Sequence, residues 1–335
     1  MSDHLLPWLL DSDPGLRWQV MRDFTDASPV ATAAERARVA TEGHGAALLA
    51  QQGPDGRWGG AAWNRGFDST MHVLMLLRDL GLDPVCAEAR HALGLVREHV
   101  TWTGCGPPEC DGHRFFAGET EPCINAQVAA VGAYFGQDVG PLVERLLGEQ
   151  LADGGWNCEA ERGATSSSFN TTICVLEALL AFERAVGGSV EAATARRRGE
   201  EYLLERRLCR RRSTGEVIER CRKSGASFTR FVFPAWWHYD VLRGLELLRE
   251  AGRSPEERMT EAFDAVAQAG AGGRWPRQEP YPGRMPVELE APGSPASRWI
   301  SARALRVLRW RQGVTTRLPS PPSLTPPASA RRQWR

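Results

Sequence analysis

Apolar residues recur at helical spacing in five separated stretches. They are "DSTMHVLMLLRDLG" (68–81), "CINAQVAAVGAYFG" (123–136), "NTTICVLEALLAFE" (170–183), "WHYDVLRGLELLREAG" (237–252) and "SARALRVLRW" (301–310). Each predicts a helix buried along its apolar face. The intervening stretches 84–99, 138–151, 190–207 and 254–269 are charged and amphipathic, and predict helices with one face in water. Asp13-Pro14 and Ser28-Pro29 each set a capping side chain before a first-turn proline, which opens two earlier helices. Of these, "PGLRWQVMRDF" is a degenerate first member of the apolar set. The one strand-like alternation is the short "TRFVF", Thr229 to Phe233.

The apolar segments begin at intervals of roughly 45 to 65 residues, the spacing of a helix-pair repeat. One apolar and one amphipathic helix cannot bury both their faces alone, but a closed ring of such pairs can. The predicted fold is therefore all-α: a single α/α toroid over residues 1–313, with about six inner and six outer helices. Residues 314–335 are rich in Pro, Ser and Arg and read as a disordered tail.

Three related phrases punctuate the pattern: Gln51…Gly56-Arg57-Trp58, Gln150…Gly154-Gly155-Trp156 and Gln268…Gly272-Gly273-Arg274-Trp275. Each closes an amphipathic helix. The glycines permit the backbone to leave the helix, and the tryptophan is sized to rivet the wedge between neighbouring outer helices, against the glutamine amide. These Gly-x-Trp turns resemble the QW repeats of the terpenoid cyclase and protein prenyltransferase superfamily. Together with "WNCEAERGATSSSFNTTICVLEALLAFE", "FPAWWHYDVLRGLELL" and "SRWISARALRVLRW", they also resemble small bacterial squalene-cyclase-like proteins carrying prenyltransferase/squalene oxidase repeats. The resemblance covers most of 40–312 and implies the toroid and an isoprenoid or similar apolar substrate in a central cavity. The Asp-x-Asp-Asp proton donor of class II cyclases and the Asp-Asp-x-x-Asp magnesium motif of class I synthases do not occur in this chain.

Composition narrows the setting. Lys+Arg and Asp+Glu both total 41, so no global field draws the chain to nucleic acid or anionic lipid. Lys223 is the single lysine, which leaves one candidate amine for Schiff-base chemistry. The start lacks the basic region of a signal peptide, and no apolar run reaches membrane-spanning length. Eight cysteines without an export signal then read as cytoplasmic thiols.

Aligning the inner helices on their apolar cores puts polar groups in register near their N-terminal ends. One column holds Thr70, Asn125, Thr172, His238 and Ser301; a second holds His72, Gln127, Cys174, Asp240 and Arg303; a third holds Asp68, Cys123, Asn170, Trp236 and Trp299. If those ends converge, they form a polar rim around an apolar bowl. Thr70, Asn125 and Thr172 also suit helix capping. The middle turn alone continues as Asn157-Cys158-Glu159, which a rivet does not require. Candidate catalytic groups are Asp240, His238, Cys158 and Glu159. Candidate substrate contacts are Trp156, Asn157, Asn125, His72, Trp236, Trp299 and Arg303, the tryptophans offering their faces to cationic charge.

Protein prenyltransferases bind zinc through an Asp-x-Cys string on one inner helix and a His on another. By that resemblance Cys123, Cys158, His238 and Asp240 are a candidate zinc set, although the string itself is missing. Cys105, Cys110, His113 and Cys123 are a second set with less regular spacing. "ERRLCRRR", 205–212, offers guanidinium groups to a diphosphate or, among its flanking glutamates, a solvated face. Two readings follow: a squalene-cyclase-like or prenyltransferase-like enzyme, or a non-catalytic toroid that grips a ligand or protein partner at its rim.

Overall fold

The structure, a computed structural model, describes residues 4–105, 107–219, 225, 227–270 and 272–314. Among the described residues it is all-α apart from one antiparallel pair of two-residue strands. The chain divides into two compact units. We call the one built from 34–199 and 282–287 the central unit, and the one built from 4–33, 200–281 and 288–314 the flanking unit, after their order in the sequence. The Pro/Ser/Arg-rich segment and Lys223 lie outside the described residues, apart from Val314.

The helices are α1 Leu5–Leu10, α2 Pro14–Phe24, α3 Pro29–Ala37, α4 Gly43–Leu49, α5 Thr70–Leu80, α6 Ala87–His99 and α7 Pro122–Tyr134. They continue with α8 Gly140–Gly148, α9 Phe169–Val186, α10 Val190–Glu205, α11 Val241–Glu250, α12 Thr260–Ala269 and α13 Arg298–Arg311. All five apolar segments and all four charged ones are helical. Their starts follow local chemistry. The Asp13 carboxylate accepts from the Gly15 N–H before Pro14 at the head of α2, and Ser28 Oγ accepts from the Ala31 N–H ahead of Pro29. Gly81, left-handed at φ 84°, ends α5.

Thr229–Phe233 is irregular rather than a strand. Phe231 and Val232 are both buried, so the apolar character reflects burial of a loop. The strands lie elsewhere, β1 at Trp275–Pro276 and β2 at Ala296–Ser297. They hold the third tryptophan turn against the start of α13. No helix among the described residues is long and apolar enough to cross a membrane.

The three turns share one construction. Each indole N–H donates back to the preceding helix: Trp58 to the Leu48 carbonyl at 2.7 Å, Trp156 to Leu146 at 2.6 Å and Trp275 to Val266 at 2.8 Å. Each tryptophan backbone N–H donates to a hydroxyl on the next apolar helix: Thr70 at 3.2 Å, Thr172 at 3.0 Å and Ser301 at 2.9 Å. All three rings are buried. In the middle turn a Cβ on Gly199 of α10 would come within 2.9 Å of the Trp156 ring, so the indole fills the space between α8 and α10.

The glutamine does not hold the indole. Gln150 Nε2 donates to the Gly154 carbonyl at 2.7 Å and to the Ala195 carbonyl of α10 at 2.8 Å, so it ties the turn to the following charged helix. Its counterpart in the first turn is Gln52, which bridges the Gly56 and Ala92 carbonyls, both at 3.0 Å. Gln51 instead donates to Ala47 and Pro286 from an exposed position. The two adjacent glutamines make the register ambiguous by one residue in sequence, and the bridge settles it. Gln268 of the third turn is exposed. Gly154, at φ 92°, cannot carry a side chain, because a Cβ would lie 2.7 Å from the Arg198 carbonyl oxygen.

Candidate functional site

Within the central unit α7 packs along α9, with Gln127 Nε2 of one 3.5 Å from Cys174 Sγ of the other, both buried. These two residues share a column in the sequence alignment, and they meet. One turn nearer the helix starts, Cys123 in the first turn of α7 faces Cys158 with their sulfurs 2.8 Å apart. Glu121, two residues before Cys123, brings Oε2 to 3.7 Å from its sulfur. Single ligand atoms of Glu121, Cys123 and Cys158 lie within 4.8 Å of one another, all three residues half-buried.

Both sides of this cluster are held by the backbone. Ahead of α7, the Asn125 side chain accepts from the Glu119 N–H and donates to the Glu119 carbonyl, each at 2.8 Å. The Glu119 carboxylate accepts from the Glu121 N–H at 2.6 Å. Arg145 of α8 donates to the Glu119 and Thr120 carbonyls at 2.5 and 2.7 Å and to Glu149 at 2.8 Å. The loop that aims Glu121 and Cys123 is thus fixed at every peptide. On the other side, Asn157 donates to the Ser166 carbonyl at 2.7 Å and accepts from the Glu159 N–H at 3.0 Å. The Cys158 N–H and sulfur both lie 3.3 Å from Thr171 Oγ1 in the first turn of α9.

In the protonated cluster hydrogen bonds run from Cys158 to Cys123 and on to Glu121. Loss of a proton falls on Cys158. Its sulfur can then accept the Cys123 S–H and the Thr171 hydroxyl, which holds its pKa below the ordinary thiol value against the cost of burial. Cys123, which gives that bond, is partly desolvated and faces Glu121, and its pKa is pushed well above the ordinary thiol value. The N-terminal end of α9 adds positive potential on the Cys158 side. Two sulfurs and a carboxylate oxygen suit a zinc-type ion with a fourth position left for water or substrate.

The remaining sequence candidates have structural work. Asn125 and Asn157 are consumed in the loop clamps just described. Trp156 is the buried rivet. Glu159 pairs with Arg162 at 3.2 Å. His72 is buried with Nδ1 2.7 Å from Ser69 Oγ, and desolvation lowers its pKa to about 4 despite the nearby Asp68. Cys105, Cys110 and His113 form no ligand cluster: among the described residues, the Glu121 group is the one that assembles three such atoms. In "ERRLCRRR", Arg206 is buried and stacks over Tyr202, and Arg210 pairs with Glu261 at 2.7 Å.

His238 and Asp240 belong to the flanking unit. His238 is stacked between Trp237 and Tyr281, with ring centroids 3.8 and 3.5 Å away. Burial lowers its pKa to about 4, so the ring is neutral. Asp240 is the N-cap of α11, accepting from the Arg243 N–H at 2.8 Å. Burial raises its pKa to about 6 against the pull of Arg303 and Arg243. The Arg243 side chain donates to the Trp236 and His238 carbonyls at 2.9 and 2.7 Å, and Trp236 is left-handed at φ 53°. Trp299 stacks on Phe233 at 4.3 Å. Arg303 donates to Glu246 at 2.6 Å, and Arg306 joins Glu246 to Asp23 at 3.3 and 2.8 Å.

Glu121 is the member that the sequence reading missed. Glu121-Pro122-Cys123 is a carboxylate-x-Cys string at the head of an apolar helix, one methylene longer than the Asp-x-Cys sought, and that spacing was the available signal.

The fold and site define an all-α protein with a two-thiol, one-carboxylate cluster at the adjoining starts of two helices. No model of a known protein family matches the chain, and no curated protein matches it. Among solved structures it is similar to a crystal structure of a protein from Actinoplanes, at 15% sequence identity and a TM-score of 0.42, over 92% of this chain and 88% of that one.

Proposed function

We propose that this chain is an α/α toroid akin to the terpenoid cyclases and protein prenyltransferases, and that it is a metal-assisted enzyme acting on an isoprenoid or similar apolar substrate. The observation that supports this reading is the convergence of Glu121, Cys123 and Cys158 at the starts of α7 and α9. In the proposed enzyme these three residues hold one zinc ion. Zinc bound there would supply a Lewis acid and lower the pKa of a water or thiol in its open position. The clamps by Asn125, Arg145 and Thr171 keep the three donors aimed at one point. The proposed zinc set differs from the one suggested by resemblance: Glu121 takes the carboxylate place, and His238 and Asp240 are left out of it.

The test is metal analysis of the purified chain, paired with thermal-shift measurement against prenyl diphosphates and polyprenes. One zinc per chain, lost in both Cys158→Ala and Glu121→Ala, together with stabilisation by a prenyl compound, is the expected result. A metal-free chain that no isoprenoid stabilises sinks the enzyme reading. It would favour a binding module, a reading supported by the structural employment of Trp156, Asn125 and Arg303.

A further inference from the structure

The same cluster carries a second chemistry that needs no metal. Cys123 and Cys158 lie 35 residues apart in sequence, yet their sulfurs are 2.8 Å apart and both thiols are free. Both residues are half-buried rather than sealed in the core. The backbone on each side is tied down, so the two sulfurs are held together rather than meeting by chance. Cys158 Sγ donates to Cys123 Sγ and lies 3.3 Å from Thr171 Oγ1 in the first turn of α9, so Cys123 is within reach of any oxidised Cys158 sulfur.

We propose that Cys158 and Cys123 form a peroxide-sensitive pair that regulates the site, with Cys158 oxidised first and Cys123 resolving it to a disulfide. This deepens the metal-site reading by naming its control, but the thiol chemistry stands without it. In the first step Cys158 Sγ attacks a peroxide oxygen, the O–O bond breaks, and Cys158 becomes a sulfenic acid while the peroxide is reduced to water or an alcohol. In the second, Cys123 Sγ attacks the sulfenic sulfur, the S–O bond breaks, and water leaves with the Cys123 proton. Two thiols lose two electrons to one peroxide. The product has no thiolate to offer a metal, so oxidation and metal loading exclude each other. A small intracellular dithiol or thioredoxin-type reductant reverses the step.

The experiment uses the full chain in two states, chelator-treated and zinc-saturated, each exposed to stoichiometric hydrogen peroxide. In the chelator-treated chain the intact mass is expected to fall by about 2 Da, and two of the eight thiols to vanish, restored by a reductant. Peptide mapping should find the Cys123 and Cys158 peptides joined. In Cys123→Ser the sulfenic acid should persist at Cys158 and be trapped by a dimedone-type reagent. A crosslink between any other cysteines, or a gain of about 32 Da at Cys158 with no crosslink, overturns the proposal. The wild-type map is decisive even where the variant does not fold. Zinc is expected to slow crosslinking by at least about tenfold. Equal rates in the two states with the crosslink intact would overturn the metal site and leave the thiol pair standing.

Discussion

Thr70, Thr172 and Ser301 do identical work at three places in the chain, each receiving the N–H of a turn tryptophan on its hydroxyl. Their sequence register put them in one column, and capping was the role expected of Thr70 and Thr172. They serve the neighbouring turn instead, because an oxygen near a helix start faces whatever backbone crosses it. Asp240, in the next column, does cap its helix, and its buried carboxyl carries a pKa of about 6. A carboxyl whose folded value lies above its unfolded value near 3.8 contributes most favourably at low pH, and that contribution is lost as pH rises through 4 to 6. Asn in its place keeps an acceptor for the Arg243 N–H and cannot ionise. The stability of Asp240→Asn relative to wild type should therefore rise by roughly 2 kcal/mol between pH 4 and pH 7, read by urea unfolding. A flat difference across that range would show that Asp240 is not desolvated.

At the scale of elements, the first two turns are crosslinks to the following charged helix, and the glutamine amide is the link. Gln52 makes two bonds to carbonyls, one of them on α6. Gln52→Ala is expected to lower stability by about 1–2 kcal/mol in chemical denaturation, and Gln51→Ala by less than about 0.5 kcal/mol. The reverse order would return the register to the one read from sequence.

The helices were legible because their apolar periodicity and caps are local. Gly-x-Trp fixed where the turns fall, but not which of two glutamines engages, since that depends on a carbonyl some 40 residues away. The Cys123 and Cys158 pairing was legible once inner-helix starts were assumed to converge. Glu121 was not, because it precedes its helix and is aimed by Glu119 and Arg145 through contacts invisible in the string. The apolar Thr229–Phe233 misled for a related reason: apolar residues report burial, and a loop can bury Phe231 and Val232 as well as a strand can.

At the scale of the molecule, the flanking unit joins distant parts of the sequence through charge. Asp23 on α2 accepts from Arg306 on α13, and Arg306 and Arg303 share Glu246 on α11. Burial opposes ionisation of Asp23, but Arg306 and Arg22 overcome it and hold its pKa below the ordinary carboxylate value. Removing one member of such a network strands the other in a medium that does not solvate it. Asp23→Asn should cost about 3–5 kcal/mol, and Asp23→Asn with Arg306→Met distinctly less than the sum of the two single losses. Additive losses, measured by denaturant unfolding, would mean that the two residues do not interact.

The interleaving of the two units along the chain has a consequence for biosynthesis. Asp23 and Arg306 are 283 residues apart, and nearly all of the central unit is translated between them. At about 5–20 residues per second a nascent chain carries the unmatched Asp23 for on the order of 15 to 60 s. The two cysteines and the peptides that position them have left the ribosome well before that wait ends. Under the metal and thiol chemistry proposed above, metal and oxidant would meet these sulfurs on a half-made protein, before the last helix exists.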